Sequence, residues 1–244
     1  MKKWIQIALA VLLVGSGVRL AWIFYQRSQP VQAPSRQQVT YSSNEDDYVA
    51  PHKIYAYDLK SAKKELVGKT VWVIAGNSLY YYPYASGVAS LQHKAGVLAP
   101  LEKLDIRDIV LQKTSSAPRP GEFVVVRQQI MAVFRKADQP ATYAVDIGTS
   151  VGGNYKFIAN QEFLIDDPHE LYKHWPSDVW SAIDHHEAKP GMNELQVGFA
   201  LGTSATAGAG DYGNRFMEYT NAGKPVTVTF SGNKATQVVP GPSK

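Results

Sequence analysis

Cysteine is absent from the chain. Thiol catalysis, cysteine-based zinc sites, disulfides and a lipid-modified N-terminal cysteine are therefore all excluded. Net charge is also missing from most of the molecule. Residues 1–27 carry Lys2, Lys3, Arg19 and Arg27 with no acid, which accounts for the whole formal charge of +4, and the remaining 21 basic residues balance 21 acidic ones. A body without excess positive charge has no electrostatic footprint for nucleic acid, so that class of partner is set aside.

Complete catalytic signatures are missing as well. "GAGDYG" (208–213) has G-x-G-x-x-G spacing but lies between a helical pattern and a strand pattern, whereas a dinucleotide site needs a strand first and a helix N-terminus after it. "GKT" (68–70) lacks the upstream glycine of a P-loop, since Lys63 occupies that position. Neither "GTSVGG" (148–153) nor "GTSATAG" (202–208) is a nucleophile elbow. No residue is singled out as catalytic.

What is present begins with an export leader, "MKKWIQIALAVLLVGSGVRLAWIFYQR". Lys2 and Lys3 form a basic start, and Trp4 to Val18 is apolar without a charge. A cleavable signal would use Ile5–Val14 as its apolar run, with Gly15 and Gly17 at the cleavage positions. A retained signal-anchor would run from Trp4 to Tyr25, about 33 Å of helix, enough to span a bilayer core. In that reading Arg19 snorkels, and Trp22, Phe24 and Tyr25 sit in the interface. The anchor is the preferred reading: a single-pass bacterial inner-membrane protein contacting the membrane through residues 4–25, its body periplasmic. A cleaved leader would leave it secreted. Residues 28–50 are polar, with Pro30 and Pro34, and read as a disordered linker.

Residues 51–165 read as β-rich. "KTVWVIA" (69–75), the turn at Gly76–Ser78 and "LYYYPY" (79–84) form a hairpin pattern, and "LDIRDIVLQ", "FVVVRQQIMAVFR", "ATYAVDIG" and "NYKFIANQEFLI" follow as strands. Strands at that spacing suggest a small antiparallel SH3-like barrel. Residues 166–188 read as a helical junction, where Asp167, Pro168 and Glu170 match a helix start. In residues 189–240, Pro190-Gly191 breaks the chain, Asn193 and Gln196 match a capping box, and Gly202 matches a C-terminal stop. The stretch 203–214 is Gly- and Ala-rich and is expected to lack fixed structure in the free protein. "RFMEY", "PVTVTF" and "KATQVV" then read as a three-stranded meander. The expected fold class is α+β: an N-terminal transmembrane helix or signal, a small β domain, a helical junction, then one helix with a meander.

In that last part, "PGMNELQVGFALG", "GNRFMEYTNAGKPVTVTF" and "GNKATQV" resemble the BamE/SmpA-type module of bacterial envelope proteins, an architecture shared with proteins like β-lactamase inhibitory protein. The resemblance covers about residues 186–240 and rests on Gly191, Met192, Gln196, Val197, Gly202 and the final hairpin. It implies a non-catalytic binding module that contacts another envelope protein or a cell-wall polymer. It does not imply the family's cysteine-linked lipid anchor.

Two sets of side chains are candidates for function. Tyr80, Tyr81, Tyr82 and Tyr84 alternate on one strand, so at least one ring should lie on a wet face, where tyrosine favours binding. Tyr172, Trp175 and Trp180 read as packing between domains or as a ligand-facing platform. The alternative from another class is a metal-dependent, hydrolase-like enzyme. It would use His169, His174, His185 and His186, four of the six histidines gathered within 18 residues, with zinc as the metal. Spacing opposes it: five residues place His169 and His174 about 140° apart on a helix, whereas helical zinc pairs use i, i+4. No cofactor is expected otherwise.

Overall fold

The computed structural model describes Arg19, Trp22, Asp46 and residues 49–113, 127–137 and 139–241. Residues from Glu45 onward belong to one compact unit, and the fold described is that of this unit. It is mostly β, with two antiparallel sheets and short helices of four to eight residues. That corrects the expected α+β class. The expected transmembrane helix is corrected with it: among the described residues no helix is long and apolar enough to cross a membrane. Apart from Arg19 and Trp22, the segment 4–25 assigned to that helix lies outside the described residues.

The larger sheet contains β1 (Thr70–Val73), β2 (Tyr80–Ala85), β3 (Val88–Ala89), β4 (Gly96–Val97), β5 (Lys103–Lys113), β6 (Arg127–Lys136), β7 (Thr142–Val151), β8 (Asn154–Phe157) and β9 (Phe163–Leu164). Its order is β3-β2-β7-β6-β5-β1-β9, with β4 on β2 and β8 on β7. This path has two ends, β3 and β9, which do not pair with each other, so the expected barrel does not close. The expected hairpin of β1 with β2 is also absent, because β1 pairs with β5 and β9. Its turn is occupied otherwise. A side chain at Gly76 would lie 2.3 Å from the Pro100 backbone nitrogen, and the Gly76 carbonyl accepts from Thr203 N–H at 3.0 Å.

Alternation explains the first core. Ile130, Ala132 and Phe134 of β6 face Val145 and Ile147 of β7 and Leu104, Ile106 and Ile109 of β5. In β5 the inward positions change from even to odd because the register shifts between Ile106 and Asp108. Helix α1 (Leu59–Leu66) covers this core with Ala62 and Leu66. Its start went unread in the sequence, yet Asp58 accepts from Ser61 N–H at 2.6 Å and Ser61 Oγ accepts from Asp58 N–H, a full capping box.

After β8 the chain forms α2 (Ala159–Glu162), β9, α3 (Pro168–Leu171), α4 (Ser177–Asp184) and α5 (Glu194–Leu201). The smaller sheet follows with β10 (Ser204–Ala207), β11 (Phe216–Tyr219), β12 (Val226–Ser231) and β13 (Lys234–Pro240), in that order. It has four strands where three were expected, since residues 204–207 of the supposedly unstructured stretch pair with β11. Asn193 caps α5 as its spacing predicts, accepting from Gln196 N–H at 2.8 Å while the Gln196 side chain accepts from Asn193 N–H.

The second core gathers Trp175, Trp180, Met192, Val197, Phe199 and Phe230. Strands β1 and β9 separate the two cores and serve both. Val71, Val73 and Phe163 face the first, while Trp72, Ile74 and Leu164 face the second.

Candidate functional site

The tyrosines of β2 divide by strand alternation. Tyr81 is buried in the first core, edge-on to Tyr143 (5.0 Å between centroids) and Phe134 (6.0 Å). Tyr82 and Tyr84 pack on the opposite face over Ala89, Met131, Val133 and Ala144. Only Tyr80 is well exposed, at 46%, with the Lys94 ammonium 3.4 Å from its ring centroid. The segment therefore offers one wet ring rather than a platform.

The four histidines are held one by one. His169 stacks on Trp180 (4.0 Å, 22°), between Asp184 at 3.2 Å and Asp167 at 3.4 Å. His185 Nδ1 lies 2.6 Å from the carbonyl of Ser181 in its own helix. His186 Nδ1 lies 3.3 Å from the Ala200 carbonyl, and His174 Nε2 lies 2.7 Å from Asp46. His169 and His185 border one open hollow of about 490 Å³, but His174 and His186 do not. Among the described residues no three histidine or acidic side chains are placed to hold a metal ion.

Tyr172, Trp175 and Trp180 are all buried. Tyr172 stacks on Trp175 at 4.4 Å, and Phe199 meets both rings edge-on. Trp180 Nε1–H donates to the Tyr172 carbonyl at 3.2 Å. Trp175 Nε1–H donates to Asp46 at 2.5 Å, and Asn193 Nδ2–H donates to the other Asp46 oxygen at 2.7 Å. Asp46, in the stretch that reads as a linker, thus joins α5's cap to the aromatic cluster. Trp175 and Trp180 border the open hollow beside His169, and Tyr172 lines a hollow along α5.

Two surfaces remain. The first is a groove along α5. A hollow of about 520 Å³ is lined by Pro51, Lys53, Phe163, Leu164 and Tyr172, together with Ile74, Leu195 and Phe199. A second hollow of about 330 Å³, reaching Met217 and Tyr219, shares Ile74, Leu195 and Phe199 as lining with the first. The chain at 51–54 borders the first hollow, tied down by side chains rather than a strand partner. Asn160 pairs both polar backbone groups of Ile54 (2.6 and 2.8 Å), and Asp166 accepts from His52 N–H at 2.7 Å. Beside the second hollow, buried Glu194 accepts from Gly213 N–H at 2.7 Å and from two nitrogens of Arg215, which holds the loop before β11 against α5.

The second surface is the outward face of the smaller sheet. Met217, Tyr219, Val228 and Phe230 point into the core, so their neighbours point out. The register aligns Phe216, Thr229 and Gln237 in one row, and Thr206, Glu218, Thr227 and Val239 in the next. Phe216 and Val239 are each 42% exposed, and Glu218 is the single charge in these rows.

At the end of α2, buried Glu162 has an Oε2 without a hydrogen-bond partner among the described residues. Burial, then the nearby Asp146 charge, pushes its carboxyl up to about 8. Asp146 is itself raised by burial, against hydrogen bonds from Gly148 N–H and Gln129.

No protein-family model, curated protein or solved structure matches the chain. Sequence reading missed the groove because its walls come from residues 51–53, 74, 163–164, 172 and 195–199, and only the fold joins them. The sheet face was legible, since alternation in "RFMEY" and "PVTVTF" already separates Phe216, Thr227 and Thr229 from the inward set.

Proposed function

We propose that the protein is a non-catalytic binding protein of the bacterial cell envelope, exported by its N-terminal leader, and that it holds another envelope protein on the outward face of its smaller sheet. The observation that carries this reading is the pair of rows Phe216–Thr229–Gln237 and Thr206–Glu218–Thr227–Val239. Seven side chains on one pleated surface include two exposed apolar groups and one charge. A surface of that kind loses little on desolvation, and depletion of charge at the centre is the compositional mark of protein interfaces. The resemblance of residues 186–240 to the BamE/SmpA-type binding module points the same way.

The rigidity behind the face supports the same reading. Phe230 and Val228 anchor β12 from the inner side, and the Glu194–Arg215 pair anchors the approach to β11. A pre-ordered face loses less entropy when a partner lands on it.

Affinity capture of the full-length protein from its own membranes in mild detergent tests the proposal. The expected result is a near-stoichiometric protein partner that is retained by Tyr80→Ala and lost by Thr229→Arg, with the far-UV spectrum and melting temperature of the variant unchanged. Capture that survives Thr229→Arg, or co-sedimentation with cell-wall polymer in place of a protein, would overturn the assignment.

A further inference from the structure

We propose that the groove along α5 binds a single-chain amphipathic anion, an alkyl chain carrying one carboxylate or phosphate head, with the head at Lys53 and the chain lying along Leu195 and Phe199. This goes beyond the protein-binding role, because the groove and the sheet face are different surfaces.

The volume and lining define the tail site. A hollow of about 520 Å³ falls within the roughly 300–1,000 Å³ usual for small-ligand sites. Its walls of Ile74, Phe163, Leu164, Leu195 and Phe199 are hydrocarbon, and a second hollow that reaches Met217 shares Ile74, Leu195 and Phe199 with it. An elongated apolar ligand fills such a shape, and a compact polar one does not.

Accounting for the polar groups at the wide end defines the head. Both polar atoms of the Asn160 side chain are used by Ile54. His52 donates its backbone N–H to Asp166, and its ring lies 3.4 Å from Glu65. Two groups are left over. Exposed Lys53 lines this end and, like most lysines of the described residues, has no ion pair there. The Tyr172 hydroxyl has no hydrogen-bond partner among the described residues, and burial, then the Asp46 charge, raises its phenol so that it remains an O–H donor. The groups left over at this end are thus a cation and a donor, since the Asp46 carboxylate near the Tyr172 phenol is taken up by Trp175 Nε1–H and Asn193 Nδ2–H. That combination suits an anionic acceptor and disfavours a cationic head, which would meet Lys53 directly.

Isothermal titration of the full-length protein with octanoate, decanoate and dodecanoate, each below its micelle concentration, tests this directly. The expected result is one saturable site, with affinity rising roughly tenfold for every two methylene groups added. Dodecyltrimethylammonium, with the same chain and the opposite head, is expected to bind at least tenfold more weakly than dodecanoate. Lys53→Glu, at an exposed position that carries no packing, is expected to lose at least tenfold in dodecanoate affinity. Leu195→Trp, which narrows the groove, should weaken every chain length. Thr229→Arg, on the sheet face, should leave dodecanoate binding unchanged, so failure of the protein-partner reading and failure of this one are separable. Four outcomes would overturn the proposal: no saturable binding of dodecanoate, equal binding of the ammonium, indifference to Lys53→Glu, or sedimentation with anionic vesicles without uptake of the monomeric chain.

Discussion

Buried Glu162 and half-buried Asp46 show how differently two carboxyls can act. Glu162 leaves one oxygen unpartnered, and its carboxyl is raised by burial from its ordinary 4.5 to about 8. Below about pH 4.5 the folded and unfolded chains both hold this proton. Between there and about pH 8 only the folded chain holds it, so stability falls as pH rises through that window. Glu162→Gln keeps the shape and removes the charge. It is expected to flatten the fall and to be more stable than the parent at pH 8 by on the order of 3 kcal/mol, read from denaturant midpoints at pH 5 and pH 8. A parent protein equally stable at both values would refute the assignment. Asp46 has the opposite character, because its oxygens receive Trp175 Nε1–H and Asn193 Nδ2–H and lie beside His174. Asp46→Ala leaves those donors without their acceptor and is expected to cost about 2–4 kcal/mol, seen as a lower melting temperature and a shift in tryptophan emission.

At the scale of elements, local chemistry decides where helices start, and long-range backbone contact decides how strands pair. The Asn193–Gln196 box and the Asp167–Pro168 start were legible because each is complete within four residues. The capping box at Asp58 was equally local, but the β-patterned residues around it drew the reading away. The missing hairpin after β1 was not legible, because its cause is the approach of Gly202 to Gly76. Gly202 has φ +81°, and a side chain there would lie 2.2 Å from the Gly76 carbonyl oxygen. Asn77 Nδ2–H donates to the Leu201 carbonyl at 2.9 Å across the same seam. No pattern within residues 69–84 reports a contact made 126 positions later. Gly202→Ala is accordingly expected to cost about 3 kcal/mol, from the strained left-handed backbone together with overpacking. Gly68→Ala, also at positive φ but with open space around it, is expected to cost about 1 kcal/mol. Comparable losses for the two would mean that conformation alone, not the seam, sets the requirement at Gly202.

For the molecule as a whole, the wall shared by the two cores governs how it comes apart. Sequence composition changes near residue 165 from β-patterned to helical, and a reader of the sequence alone divides the chain there. Packing does not follow that division. Trp72 on β1 and Ile74 just after it lie against the second core, and Leu164 joins it from β9. Thr203 N–H reaches back to Gly76, and Asp46 ties the start of the compact unit to α5. Melting the second core would uncover one face of β1 and β9, and melting the first would uncover the other, so neither sheet keeps its hydrophobic cover alone. Residues 45–244 are therefore expected to unfold as one cooperative unit, with calorimetric and van't Hoff enthalpies in agreement. Ile130→Ala in the first core and Val197→Ala in the second should each lower a single transition, by about 2–4 kcal/mol. Two separated transitions, with each variant moving only its own, would show that the wall does not couple the cores. The groove along α5 lies on this wall, between Ile74 and Leu164 on one side and Leu195 and Phe199 on the other. A ligand filling it would contact β9 and α5, and therefore both cores, so dodecanoate should raise the single melting temperature of the parent and leave that of Lys53→Glu nearly unmoved.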